Sequence, residues 1–134
     1  MLLSAELFVE DLKKKGLAYD VHEGDDGDTV VIFPYNGKQT LFIFSGNEGK
    51  SVSMYTVYEK VPDSKLTDMY VLCNSLNAKL KWLKFFVDDS NNLVVQDDAI
   101  LTPETAAEEC FELLIVRLKI LDEVKGSIMR TIWS

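Results

Sequence analysis

Between Leu17 and Glu59 the chain lays down four runs of strand character in succession, and the links between them are too short to hold a crossover. Leu17, Tyr19 and Val21 alternate with Ala18, Asp20 and His22; Thr29 to Phe33 is rich in β-branched residues and stops at Pro34; Gln39 to Ser45 and Ser51 to Glu59 follow. The links are Gly24-Asp25-Asp26-Gly27-Asp28, Asn36-Gly37 and Gly46-Asn47-Glu48-Gly49, all built from turn formers. A parallel pair needs a connection of about a dozen residues or more, so these runs must pair as an antiparallel meander.

Helical periodicity brackets the meander. Ser4 reads as an N-cap, with Leu3 and Phe8 as a hydrophobic staple. Lys13, Lys14 and Lys15 fall in the last turn, where the dipole favours cations, and Gly16 ends the helix. Pro62, with Asp63 or Ser64 as cap, opens a second helix in which Leu66, Met69, Tyr70, Cys73 and Leu76 recur at helical spacing. Leu80 to Val87 returns to strand character, Asp88 to Asn92 turns, and Leu93 to Gln96 forms the second arm of a hairpin. Thr102-Pro103-Glu104 supplies a cap, a first-turn proline and an acid beside the positive helix end. The helix it opens is expected from Pro103 to about Met129, with Gly126 as a possible end. The expected class is α+β, in the order α-β-β-β-β-α-β-β-α: an antiparallel sheet of about six strands with three helices, one domain over residues 1–134.

The apolar residues exceed what one sheet face needs. Leu41-Phe42-Ile43-Phe44 does not alternate with polar residues, so Leu41 and Ile43 face one side and Phe42 and Phe44 the other. Leu80 to Val87 is similarly rich, and the last helix carries Cys110, Leu114, Leu118 and Leu121 beside a second stripe of Leu113, Val116, Ile120 and Val124. Either the long helix covers the second face within one chain, or a homodimer or bound protein segment does. The second arrangement is the expectation, with Phe42, Phe44, Tyr55, Trp82 and Phe85 as candidate partner-binding residues.

Several functions are excluded by composition and spacing. Twenty-two acidic against fourteen basic residues give a net charge of -8, which repels phosphate backbones and anionic lipid, so no nucleic acid is expected as partner. The mildly basic, aromatic middle, residues 29–87, lies between acidic ends and does not reverse that balance. Apolar runs such as Val30 to Phe33 are far too short for membrane insertion. Met1 to Glu6 lacks a basic leader, and Cys73 and Cys110 sit in helical patterns as buried free thiols, so a cytoplasmic protein is expected. The lone His22 has no nucleophile in a recognisable motif, and no His/Cys cluster suits zinc. The acidic turns Asp20 to Asp28 and Asp88 to Asn92 both miss the calcium-loop pattern, and the glycines form no phosphate cradle. Asp97 and Asp98 are adjacent and point to opposite faces, a poor acid/base dyad. No catalytic residue, metal or cofactor is expected, and the protein is not read as an enzyme.

One stretch carries a family likeness. Leu72-Cys73-Asn74-Ser75-Leu76-Asn77, then Trp82 to Asp89 and Asn92-Leu93-Val94-Val95 as a hairpin, then Asp97 to Leu101 and Thr102-Pro103-Glu104 before a long helix, resemble the YbjN family over about residues 66–125. That family is described as bacterial sensory transduction regulators, with a fold similar to type III secretion chaperones. The resemblance implies a small cytoplasmic, non-enzymatic, dimeric protein that binds another polypeptide, and it carries no catalytic or cofactor residues with it. Two readings follow: a chaperone-like or regulatory module presenting an apolar sheet surface, or an acidic immunity-type inhibitor of a basic toxin or enzyme, whose binding salt would weaken.

Overall fold

The computed structural model describes residues 1–134. Helix α1 (Leu3–Lys14) leads into strands β1 (Asp20–Glu23), β2 (Thr29–Tyr35), β3 (Lys38–Ser45) and β4 (Ser51–Lys60). Helix α2 (Leu66–Lys79), strands β5 (Lys84–Val87) and β6 (Asn92–Ile100), and helix α3 (Ala106–Trp133) complete the chain. The six strands form one antiparallel sheet in the order β1-β2-β3-β4-β6-β5. The α+β class and the order of elements are those expected.

Strand periodicity decides which residues enter the core. Val31, Phe42, Met54 and Asp97 share one cross-strand row, as do Phe33, Thr40, Thr56, Val95 and Phe85. These residues are buried, and all three helices lie on their side of the sheet. Phe8 of α1 stacks in tilted contact on Phe42 and Phe44, with ring centroids 4.7 and 6.0 Å apart. The core has two lobes. One joins α1, β2, β3 and the first half of α3 through Ala106, Cys110 and Leu114. The other joins α2, β5, β6 and the second half of α3 through Leu121, Val124, Ile128 and Ile132.

Several local expectations are corrected. Ser4 is no cap: α1 begins at Leu3, and the Ser4 hydroxyl is buried against Gly49 with no partner. The helix is anchored instead by the Leu2 N–H, which donates to Thr29 Oγ1 at 3.0 Å. Asp63 and Ser64 belong to a separate 3-10 turn ahead of α2, where Asp63 accepts from Asn91. Strand β1 starts at Asp20, not Leu17, although Leu17 and Tyr19 still pack on the core. Strand β6 runs on past Gln96 to Ile100, because β4 is long enough to pair with all of it. Helix α3 begins after a Thr102–Thr105 hydroxyl bond of 2.9 Å and continues through Gly126 to Trp133, held by burial of Ile128 and Ile132 beyond the glycine. Cys73 and Cys110 are free and buried.

Candidate partner-binding surface

Because α1, α2 and α3 share one side, the opposite side of the sheet has no helix over it. Ile32, Leu41 and Tyr55 lie side by side there, flanked by Val30 and Ile43 in the next row. Val57, Val94 and Phe86 form a further row on the same side. Most of these are half-buried by their neighbours alone, and Val57 is 53% exposed. The long helix therefore does not blanket the second face, and an apolar stripe faces outward across β2, β3 and β4, while Val94 of β6 is only 5% exposed.

The candidate residues divide by parity. Phe42, Phe44 and Phe85 are at most 1% exposed and belong to the core, so they cannot meet a partner in the folded monomer. The wider aromatic pair of β3 fills the space under the helices, and the branched pair Leu41 and Ile43 faces out. Tyr55 does sit on the outer face, beside Leu41. Trp82 is 59% exposed, but at the sheet's end and not on its face. Val30, Ile32, Val57 and Phe86 also face outward, beside Leu41 and Ile43, the pair that strand alternation sets opposite Phe42 and Phe44.

Trp82 also explains why β5 is short. The residues Leu80 to Val87 predict strand throughout, yet pairing with β6 begins only at Lys84. Trp82 has φ of +80°, and the Leu83 N–H donates back to the Lys81 carbonyl at 3.0 Å, a γ-turn of the rare positive-φ kind. The turn throws the chain off the ladder and leaves Asp97 to Ile100 of β6 with no strand on that side. Beside them lies a groove of about 400 Å³ between β6 and α3. Leu113, Val116 and Ala99 give it apolar walls, Asp98, Glu109 and Glu112 supply carboxylates, and Trp82 stands at its end.

Beneath this groove is a buried ion pair that sequence reasoning also missed. Arg117 is fully buried at the seam of the two core lobes, between Leu114 and Leu121 on the same helix face. Its guanidinium donates to Thr56 Oγ1 at 2.7 Å, to the Met54 carbonyl at 2.9 Å, to the Val95 carbonyl at 3.1 Å and to Asp97 Oδ1. Burial pushes the Asp97 carboxyl above its ordinary value, and Arg117 offsets that only in part. Burial lowers Arg117 in turn, against the pull of Asp97. Asp98, one residue on and facing out, goes the other way: its partial burial is outweighed by Ser53, Gln96 and the charge of Lys84, so its carboxyl is held low. The pair is structural. It neutralises a charge in the core and ties α3 to β4 and β6.

The other polar features are turns. Asp88 accepts the N–H groups of Ser90 and Asn92 at 3.0 and 2.8 Å, and the Asn92 bond first of all draws its carboxyl below the usual range. His22 is exposed on the edge strand β1, opposite Val30. No helix is long and apolar enough to cross a membrane.

A family model matches residues 4–123 and is described as YbjN, "Putative bacterial sensory transduction regulator". The chain belongs to the YbjN family. No curated protein matches it. Among solved structures it is similar to the Yersinia pestis type III secretion chaperone SycH in complex with a stable fragment of YscM2, at 11% identity and a TM-score of 0.54, over 87% of this chain and 94% of that one. It is also similar to the ExsC-ExsE complex, at 12% identity and a TM-score of 0.43, over 92% of this chain and 96% of that one. At such identity the SycH likeness establishes that this YbjN member shares the chaperone's fold and no more.

Proposed function

We propose that this chain is a non-enzymatic, chaperone-like or regulatory protein that binds a partner polypeptide on the open face of its sheet, acting as a homodimer in the cytoplasm. The outward row of Ile32, Leu41 and Tyr55, with Val30 and Ile43 beside it and no helix above, carries this reading. Fully burying a side chain of the Leu, Ile or Val class is worth about 1.5–3 kcal/mol, so covering this half-buried set offers several kcal/mol to a partner. SycH, which shares the fold, was solved with a fragment of another protein bound. Monomers rarely leave contiguous apolar area of this kind uncovered without a use.

The test exploits the parity of β3. Leu41→Asp with Ile43→Asp changes only the outward side, whereas Phe42→Asp with Phe44→Asp places charges in the core. The outward variant is expected to keep its far-UV circular dichroism, to lose binding of an apolar dye, and to lose the partners that the wild type captures from its host. The inward variant is expected to unfold. Equal capture of the same partners by the outward variant would refute the reading.

A further inference from the structure

The two free stretches of strand edge at this end of the sheet are treated differently. On β5, the Asn77 side chain occupies the outer edge: its Nδ2 donates to the Phe85 carbonyl at 3.0 Å, and its Oδ1 accepts the Phe85 N–H at 2.8 Å. That edge is closed to another strand. It also fixes the ladder's phase. Since Phe85 turns its backbone groups away from β6, the β6 residues bonded to β5 are Val94 and Gln96, partners of Phe86 and Lys84. By the same alternation Asp98 and Ile100 aim their N–H and carbonyl groups at the vacant place beyond the Trp82 turn. Ile100 is 81% exposed, and nothing protects this edge as Asn77 protects the other. Unpaired edges are normally blunted, so one left open beside a groove is a place for a strand to add.

Charge decides what kind of strand. Asp98, Glu109 and Glu112 line the groove, and none of them has a cation within ion-pair distance; Gln96 Nε2 donates to Asp98 at 3.1 Å and the charge of Lys84 acts on it, so Glu109 and Glu112 are the least compensated. A second copy of the same edge would set its own three carboxylates against these, so self-pairing here is repelled. Between the acids, Leu113, Val116 and Ala99 give an apolar floor, and the Trp82 ring already holds a cation, with Lys81 Nζ 5.4 Å from its centroid. We propose that this groove takes an extended, basic segment of a partner protein, lysines or arginines alternating with apolar residues, which adds as a strand to β6 at Asp98 and Ile100. The proposal rests on the reading that the chain binds polypeptides, but it uses the free edge of β6 and the flank of α3, meeting the open sheet face only at Asp98.

The probe is a synthetic octapeptide of alternating lysine and valine, titrated against the full-length protein by calorimetry and by amide NMR. Three outcomes are expected. The lysine–valine peptide binds, and a glutamate–valine control does not. Binding protects the Asp98 and Ile100 amides and is lost on N-methylation of the peptide bonds. The exposed pair Asp98→Asn with Glu112→Gln weakens it by about tenfold, because rim ion pairs are worth up to about 1 kcal/mol each and every 1.4 kcal/mol is tenfold in affinity. Glu109→Gln is the second variant should that pair disturb the fold. Leu41→Asp with Ile43→Asp leaves peptide affinity unchanged, so a peptide that binds this variant equally well separates the groove from the open face. Equal affinity for both peptides, insensitivity to N-methylation, or protection elsewhere on the sheet would each overturn the proposal while leaving the open-face reading standing.

Discussion

Replacing Arg117 by Met removes a fully buried guanidinium that makes hydrogen bonds to Thr56, Met54, Val95 and Asp97. What remains is a buried carboxylate and two carbonyls without this donor. Breaking a buried pair from one side costs about 3–5 kcal/mol, against a total of about 5–15 kcal/mol for a domain, so Arg117→Met should leave the protein marginal. Asp97→Leu should cost a similar amount by stranding the cation. The double variant exchanges the pair for apolar side chains and should recover most of the loss, with a coupling of at least about 2 kcal/mol. Urea titrations followed by circular dichroism at constant m-value measure all three. The defect should also depend on pH. Burial already holds the Asp97 carboxyl above its unfolded value, and removing Arg117 raises it further. A group raised on folding loses stability as pH climbs through its folded pKa, so Arg117→Met should be least stable near neutrality and recover toward about pH 4. Single variants within about 1 kcal/mol of wild type, or a double variant equal to the sum of the singles, would refute the seam's importance.

Other consequences are simpler to check. Burial pushes the Cys73 thiol up to about 11 and Cys110 up to about 12. Neither should react with a disulfide reagent at about pH 8 until the protein is unfolded, when both titrate. Phe42→Ala should cost about 3–5 kcal/mol by thermal or urea unfolding, because the ring is fully buried against Phe8. Asn77→Ala should cost about 1–3 kcal/mol and speed hydrogen exchange at Phe85, whose N–H it receives.

The order of elements was legible because periodicity and turn chemistry agree along most of the chain. The inward side of β3 was not, since both of its alternating sets are apolar; only the helices' positions settle that Phe42 and Phe44 lie beneath them. Trp82 is a good strand residue by composition, so the γ-turn that ends β5 leaves no local mark. Arg117 hides for a related reason: a single charge inside a helical stripe reads as solvent-facing until Asp97 is found on the opposing strand. The mark that could have revealed it is spacing, because Leu114, Arg117 and Leu121 fall on one helical face.

Helix α3 is a 28-residue rod, and each lobe of hydrophobic packing leans on a different half of it. Neither lobe owns its own backbone support. A chain shortened ahead of Arg117 would therefore forfeit α2's seat along with the residues removed, and the meander's side would lose the anchor that Arg117 drives into the sheet. The two halves stand or fall together, as rooms sharing one roof beam.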